Sequence, residues 1–395
     1  MNNNNYLLSS KIIKINQEIS HGFLNKKGLK RIINARIYNF GILYIMIILI
    51  IIFGFIFIFF FSSQNLIKKK NSKKIIENLD LGNVKKVYDY YLQYDEFDEL
   101  IREQYCELQN HFCDKIDKNL NQDYESKITT AKVDFNGKKF DMFVYNIKDI
   151  VSASISKIHY WEAELTRNIL KALKYYANKN HLEKQNIYLL DIGSNVGWYT
   201  YYLGKYGYKI LSFEASKINN YILYKNYCLN KDVNITLINK GLDTDDKKCI
   251  LKTVDYNRGD GMIFCKNRDK NHEDFNGDVY DNIELTKLRK YIKFLSKNNL
   301  ALMKLDIEGA EGIAIEGGKE LITKYHVPFI MLEFEVKMLE THGTNALKFL
   351  QFFEKNGYKI SGIDFFDKQY LSPLEIIKCG KKYTDLFIIY DKIFG

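Results

Sequence analysis

The chain has 395 residues and a formal charge of +10, from 58 Lys and Arg against 48 Asp and Glu. Residues 1–39 carry seven basic side chains and one acid, and residues 40–74 carry five lysines and no acid, so these two segments hold +6 and +5. The remaining 46 basic and 47 acidic groups give residues 75–395 a net charge of −1, which excludes a broad basic nucleic-acid surface there.

Residues 40–61 (FGILYIMIILIIIFGFIFIFFF) form an uncharged run of 22 residues. A helix of that length crosses the hydrocarbon core of a bilayer, which is about 30 Å thick. The run begins too late and is too long for a cleaved signal peptide, so we predict a transmembrane helix that binds the lipid bilayer. Both flanks are basic, but the additional Lys11 and Lys14 favour a cytosolic N-terminus. We therefore expect a single-pass endomembrane protein with a lumenal domain.

Composition divides the rest of the chain into further segments. Residues 1–39 are a basic tail, and residues 62–128 are charged and rich in helix formers, which predicts a helical stalk. Residues 129–182 form an extension in which Asn136-Gly137 predicts a hairpin and a helix is expected from about Trp161 to Tyr176. Residues 183–395 form the main domain.

Strand-like and helix-like runs alternate along the main domain. This alternation predicts a doubly wound α/β sheet whose first strands are parallel and buried on both faces. The expected strands are 187–192, 208–214, 234–240, 300–307, 329–335, 358–365 and 385–391, and the expected helices begin near 199 and 217 and cover 310–324 and 344–356.

The ends of the first two strands carry residues suited to a nucleoside. Gly193 and Gly197 permit a tight turn close to a ligand, and Asn195 tolerates a positive φ. The spacing is not the GxGxxG of nicotinamide enzymes. Glu214 follows Gly193 by 21 residues, the spacing at which an acid binds ribose hydroxyls. Together these features predict an adenosine-type ligand.

Carboxylates also collect at the ends of two later strands. Lys304 and Asp306 share one face of the fourth strand because side chains alternate with period two. Glu308 and Glu311 follow where the chain turns into a helix, and Glu333 lies in the next apolar run. These acids are candidates for chemistry, although carboxylates at a helix start can instead serve as caps.

At these residues the sequence resembles the FkbM-type methyltransferases, a branch of the class I enzymes that depend on S-adenosylmethionine. The segments that carry the resemblance are DIGSNVGWYT, SFEAS, LMKLDIEGAEGIAIEGGKELI and FIMLEFE, within residues 183–395. The resemblance implies a Rossmann-like seven-stranded sheet with helices on both faces and an antiparallel last strand. It also implies S-adenosyl-L-methionine as cofactor and methyl transfer to a hydroxyl oxygen.

The chemistry of methyl transfer suggests catalytic roles for residues of this chain, and the family pattern suggests its cofactor-binding residues. Asp306 is the first choice for a base or for orienting the acceptor, and Lys304 would tune its pKa. Trp161 and Glu162 are expected either in the acceptor wall or in plain helix packing. No metal ligands are predicted, although carboxylates can hold a divalent cation. The expected cofactor-binding residues are Asp191, Gly193, Ser194, Asn195, Gly197 and Glu214, and the other catalytic candidates are Glu308, Glu311 and Glu333.

The expected acceptor is a hydroxyl on a glycan, a glycolipid or a small metabolite, and two other classes of protein stay open. A membrane-anchored glycosyltransferase would use the DxD of Asp243-Thr244-Asp245, and a non-catalytic module would keep the fold without the reaction. The six cysteines contain no CxxC, and the neighbouring Cys106, His111 and Cys113 are more typical of ordinary helix positions than of a metal site. A lumenal domain would permit disulfides and use of the sequon Asn234-Ile235-Thr236.

Overall fold

The computed structural model describes residues 97–115, 122–146, 148–254, 257–265, 279–380 and 384–395. The predicted basic tail, the transmembrane helix at 40–61 and the stalk up to residue 96 lie outside these ranges. Within them, no helix is both long enough and apolar enough to cross a bilayer.

Strands and helices alternate through most of the described chain, as the sequence pattern predicts. The strands are β1 (Ile128–Phe135), β2 (Lys138–Tyr145), β3 (Tyr188–Ile192), β4 (Lys209–Phe213), β5 (Asn234–Ile238), β6 (Gly241–Asp243), β7 (Lys247–Val254), β8 (Asn257–Phe264), β9 (Val279–Lys287), β10 (Leu300–Leu305), β11 (Phe329–Glu333), β12 (Tyr358–Ser361) and β13 (Asp385–Tyr390). The helices are α1 (Glu99–Lys115), α2 (Gln122–Glu125), α3 (Ile150–Ile158), α4 (Ala163–Lys179), α5 (Trp198–Gly204), α6 (Lys217–Leu229), α7 (Arg289–Leu295), α8 (Glu311–Glu316), α9 (Glu320–Thr323), α10 (Val336–Thr341), α11 (Ala346–Lys355) and α12 (Pro373–Cys379).

A seven-stranded sheet forms the centre of the domain, in the order β12-β13-β11-β10-β3-β4-β5. Strands β3, β4, β5, β10 and β11 run parallel to their neighbours in this set, and β13 runs antiparallel to both β11 and β12. Every residue of β3 and β10 is buried, as expected for parallel strands covered on both faces. The expected strand number and the antiparallel last strand are confirmed.

The helix expected over 310–324 is divided into α8 and α9 at Gly317-Gly318. Neighbouring segments come so close here that side chains would not fit. A Cβ on Gly317 would lie 2.4 Å from the carbonyl oxygen of Asp243, and one on Gly318 would lie 2.7 Å from Leu288. The break therefore lets the connection pack against the segments around β6 and α7.

A second, four-stranded sheet in the order β6-β9-β7-β8 is inserted between β5 and β10. It is absent from the sequence-based prediction. The signal is a weak alternation in β7, where Cys249, Leu251 and Thr253 are buried and Ile250 between them is exposed. A disulfide joins Cys249 to Cys265, which follows β8. The insertion matters because it reaches the cavity described below.

The predicted hairpin is confirmed. Strands β1 and β2 pair antiparallel with Phe135 opposite Lys138. Asn136 and Gly137 form the turn with φ of 44° and 75°, the left-handed values that such two-residue turns require.

Helix α1 packs on the edge of the main sheet, where the sequence predicted a stalk. The amide group of Gln109 imitates a neighbouring strand. Its Nε2 donates to the carbonyl oxygen of Ile235 over 3.0 Å, and its Oε1 accepts from the N–H of Leu237 over 2.9 Å. A disulfide ties Cys113 of α1 to Cys228 of α6. Residues 97–115 therefore belong to the folded domain, and a fragment beginning at residue 129 would lose both contacts.

Candidate active site

A cavity of about 410 Å³ opens at the carboxyl ends of β3, β4, β10 and β11. In open α/β sheets this edge is where ligands bind. Eight of the eleven candidate residues line the cavity, and the other three, Asp191, Gly197 and Glu311, do not. The eight that line it are Gly193, Ser194, Asn195, Glu214, Lys304, Asp306, Glu308 and Glu333.

The loop after β3 approaches the neighbouring strand very closely. Gly193 has φ of 80°, and a Cβ there would lie 1.8 Å from the carbonyl oxygen of Asp306. Asn195 also adopts a positive φ, 51°, and its buried Oδ1 has no hydrogen-bond partner. The loop thus lines the cavity at Gly193, Ser194 and Asn195, while the amide oxygen of Asn195 is buried.

Asp191 and Gly197 lie behind this loop and build it. Asp191 is fully buried and accepts a hydrogen bond of 2.5 Å from the hydroxyl of Thr200. Burial raises its pKa, although Lys304 opposes the shift. Gly197 starts α5 with φ of 96°, and a Cβ there would come within 2.7 Å of Leu223. The family pattern places both residues on the cofactor, whereas here both support the residues that face the cavity.

Glu214 is held in place by two backbone donors. The N–H of Asn195 donates to its Oε2 and the N–H of Ser216 donates to its Oε1, each over 2.8 Å. Burial raises its pKa to about 7. Each carboxylate oxygen can still accept a further hydrogen bond, so the side chain can bind a hydroxyl pair from the cavity.

The ammonium group of Lys304, in β10, links this strand to the loop that follows β3. The buried Nζ donates to the carbonyl oxygen of Gly193 over 2.7 Å and lies 2.9 Å from Asp306 Oδ2 and 4.0 Å from Asp191 Oδ1. Burial opposes its charge, but the two carboxylates outweigh burial and raise the pKa of Lys304 above its usual value. Lys304 is therefore a fixed cation at neutral pH.

Asp306 and Glu333 form a hydrogen-bonded carboxyl pair. Burial and the neighbouring acids, Asp306 first among them, raise the pKa of Glu333 far above its usual value. Burial acts on Asp306 in the same direction, but Lys304 outweighs it and lowers the pKa of Asp306. At neutral pH, Glu333 thus carries the proton and donates it to an ionised Asp306.

Glu308 adds a third carboxylate beside this pair. One oxygen each from Asp306, Glu308 and Glu333 lie within 4.8 Å of one another, which suits a hard divalent cation. Such a cation would have to displace the proton of Glu333. The absence of a metal stays a prediction.

Glu311 acts on its own loop. It is buried in the first turn of α8 and accepts from the N–H of Ile307 over 2.9 Å and from that of Gly309 over 3.2 Å. Burial raises its pKa to about 7. Glu311 thus makes the contacts of the helix-start alternative and does not line the cavity, and its catalytic role stays a prediction.

Trp161 and Glu162 both line the cavity, which favours the acceptor wall over plain helix packing. Glu162 precedes α4 in a left-handed conformation with φ of 41°, unusual for a residue with a side chain. Its Oε2 accepts a hydrogen bond of 2.5 Å from the hydroxyl of Tyr199. Burial raises its pKa to about 6.

Several cavity residues were missed by sequence reasoning. They are apolar residues of the inserted sheet and of α3, with no motif to mark them, namely Leu242, Leu251, Ile263, Ile150 and Val151. The alternation of β7 could have indicated that Leu251 lies on a buried strand face, but not that this face borders a ligand cavity.

The residues that a glycosyltransferase or a cysteine metal site would need make other contacts in the structure. Asp243 of the DxD is buried, lies 2.8 Å from Lys247 Nζ and accepts from the N–H of Thr244 over 2.7 Å; it does not line the cavity. Cys113 forms a disulfide with Cys228. The suggested metal site of Cys106, His111 and Cys113 therefore has only the thiol of Cys106 left as a sulfur ligand.

Residues 191–360 match a family model described as the methyltransferase FkbM domain, so the resemblance seen in the sequence is confirmed over these residues. No curated protein matches the chain. Among solved structures, the crystal structure of monomeric WbdD is similar with 10% sequence identity and a TM-score of 0.34, over 60% of this chain and 44% of that one. The chain thus spans less than half the length of that protein.

The ion pair of Lys304 predicts a stability effect. Lys304→Met removes the counter-charge of Asp306 and of the fully buried Asp191, and should lower the free energy of unfolding by about 3 kcal/mol, the low end for a broken buried pair because a third of Asp306 is exposed. Urea unfolding followed by tryptophan fluorescence measures this, since Trp161 and Trp198 are the two tryptophans of the chain.

The control is Lys319→Met, which removes an exposed pair with Glu316 and should change stability by less than about 0.5 kcal/mol. The loss in Lys304→Met should also shrink as pH falls below about 4, from the usual pKa of Asp306, 3.8, towards its lowered value in the fold. The lowered pKa of Asp306 means that its pairing stabilises the fold above its usual pKa and is lost on protonation. An equal effect of both variants would contradict this account of Lys304.

Proposed function

We propose, from the FkbM methyltransferase domain that residues 191–360 carry, that the protein is an S-adenosylmethionine-dependent O-methyltransferase. The observation that supports this best is one cavity lined by a closely packed glycine loop, a strand-end Glu214 and an Asp306 whose Oδ2 lies 2.9 Å from Lys304 Nζ. The proposed acceptor is a hydroxyl on a glycan, a glycolipid or a small metabolite.

The residues around the loop fit the cofactor. Glu214 offers two fixed oxygens, which suit the two hydroxyls of a ribose. Asn195 lines the cavity, and its N–H fixes one oxygen of Glu214. Gly193 lets the loop lie against Asp306, where a side chain would strike the Asp306 carbonyl oxygen. When bound, S-adenosylmethionine supplies a methyl group on a sulfonium.

The carboxylates supply what an acceptor hydroxyl needs. Methyl transfer requires the acceptor oxygen to be held in line with the methyl group and its proton to be removed. Asp306 is ionised beside Lys304, so it can accept a hydrogen bond from the hydroxyl and take the proton. Glu333 already carries a proton and donates to Asp306, which orients that carboxylate. Trp161 and Glu162 close the wall beside it.

The two alternatives receive less support. A glycosyltransferase would need its DxD at the ligand cavity, and Asp243 is committed to Lys247 outside it. A module that had lost its reaction would have no need to keep an ionised Asp306 and a proton on Glu333 beside a cavity.

We further propose a lumenal domain anchored through residues 40–61. The described residues contain two disulfides, Cys113–Cys228 and Cys249–Cys265, and disulfides persist in oxidising compartments. Asn234 of the sequon is exposed at the start of the edge strand β5, where a glycan can be attached.

Binding of S-adenosylhomocysteine tests the cofactor assignment. Calorimetry on the full chain in detergent should show binding, and Glu214→Ala should raise Kd at least tenfold because about one to two hydrogen bonds to the ribose are lost. The control is Glu354→Ala, an exposed glutamate of α11, which should leave Kd unchanged. Absence of binding to the unmodified protein, or preference for a nucleotide sugar with Mn²⁺, would sink the methyltransferase proposal.

Methyl transfer to a hydroxyl acceptor tests the role of Asp306. In membranes supplied with methyl-labelled S-adenosylmethionine, Asp306→Asn should reduce the transfer rate by about 10² to 10⁴, the usual contribution of a positioned base. Its Kd for S-adenosylhomocysteine should change less than threefold. If affinity falls and the transfer rate at saturation does not, Asp306 belongs to the cofactor site.

Protease added outside sealed membrane vesicles tests the orientation. A lumenal domain predicts that residues 97–395 survive until detergent opens the vesicles, whereas the short tail before residue 40 is accessible. Digestion of the domain in intact vesicles would place it in the cytosol.

A further inference from the structure

The residues that line the cavity fall into two chemically different sets, which we name its arms. The polar arm contains Gly193, Asn195, Lys304 and the carboxyl pair. The other arm is what we name the apolar wall, formed by Ala215, Leu242, Leu251 and Ile263, and Glu214 immediately precedes Ala215 in the chain. Ala215 follows the main-sheet strand β4, whereas Leu251 and Ile263 come from the inserted sheet.

Each arm suits a different part of a nucleoside ligand, which rests on the proposed function. With the ribose at Glu214, the amino acid and the transferable methyl group belong in the polar arm, beside Asn195 and Asp306. The planar base has apolar faces and therefore belongs in the other arm. Aliphatic side chains on such faces stabilise binding by removing apolar surface from water.

Leu251 and Ile263 lie directly opposite each other in the pairing of β7 with β8. Cys249 precedes Leu251 by two residues and Cys265 follows Ile263 by two, so all four side chains share one face of the inserted sheet. They belong to one apolar cluster with Ile283 and Leu285, against which Ala215 packs. The disulfide between Cys249 and Cys265 thus lies beside the two wall residues, two positions along each strand on the same face.

The side chains of Leu251 and Ile263 are closely packed against two glycines. A Cβ on Gly241 would lie 2.6 Å from Leu285 and 3.4 Å from Ile263, and one on Gly261 would lie 2.8 Å from Thr253 and 3.0 Å from Leu251. Both glycines line the cavity. The side chains of Leu251 and Ile263 thus pack directly against the backbone of these two glycines, so a change in the spacing of β7 and β8 would also move the wall residues.

We propose that the Cys249–Cys265 disulfide is a positioning element that fixes Leu251 and Ile263 against the base of the bound nucleoside. Its contribution is to cofactor affinity, whereas the acceptor and the carboxyl pair lie at the other end of the cavity. The Cys113–Cys228 disulfide joins α1 to α6, and neither of its cysteines lines the cavity.

The test compares the two disulfides in the full chain, with S-adenosylhomocysteine as the calorimetric probe. Cys249→Ala/Cys265→Ala should raise Kd about tenfold, and adenosine alone should lose affinity by the same factor because it contains the base. The matched control Cys113→Ala/Cys228→Ala also removes one disulfide, and it should change Kd less than twofold while lowering the unfolding temperature.

Leu251→Ala shows whether the disulfide acts through the wall. It should raise Kd in the protein that keeps both disulfides and have little additional effect in Cys249→Ala/Cys265→Ala, because the two changes remove the same contact. Leu251→Ala keeps both disulfides, so it tests the wall even if the cysteine variant does not fold. An unchanged Kd in Leu251→Ala would overturn the assignment of the wall to the base.

The outcomes separate this inference from the proposed function. If the unmodified protein does not bind S-adenosylhomocysteine, the proposed function fails and the inference fails with it. If the unmodified protein binds and Cys249→Ala/Cys265→Ala binds equally well, only the inference is overturned. An equal loss of affinity in both cysteine variants would also overturn it, since the effect would then be general destabilisation.

Discussion

The site depends on one buried cation. The ammonium group of Lys304 contacts the carbonyl oxygen of Gly193, the carboxylate of Asp306 and, at 4.0 Å, that of Asp191. A buried charge is tolerated only when it is paired and hydrogen-bonded, so the loop after β3 and the end of β10 must come together around it. This explains why residue 193 is a glycine: a Cβ there would occupy the space of the Asp306 carbonyl.

The same cation sets the protonation of the neighbouring acids. It keeps Asp306 ionised, and the ionised Asp306 then raises the pKa of Glu333, which already lies among other acids. Removing the cation would leave three carboxyl groups in competition for protons. The carboxylate of Asp306 in the polar arm is therefore held in its ionised form by one buried lysine beside it.

Sequence reasoning located this site because the parallel strands end at one edge. Once alternation predicts the sheet, the residues that follow each strand must converge, and Gly193, Glu214, Asp306 and Glu333 do so. Sequence reasoning could not assign Glu311, since a carboxylate at a helix start reads the same whether it bonds its own loop or a substrate. It assigned α1 to a stalk because the contacts of this helix join segments that are distant in sequence, as between Gln109 and Leu237. It missed the inserted sheet because the alternation in β7 is weak.

The covalent links of the domain also distinguish the main sheet from the segments added to it, α1 and the inserted sheet. The main sheet has fully buried central strands and is held by apolar burial. The two disulfides instead lie in parts added to it, Cys113 in α1 and Cys249 in the inserted sheet, and a disulfide stabilises a fold mainly by restricting the unfolded chain. Since Leu251 and Ile263 of the apolar wall belong to one of these added parts, the cofactor affinity that we propose for this cavity should depend on an oxidising environment more strongly than the fold of the main sheet does.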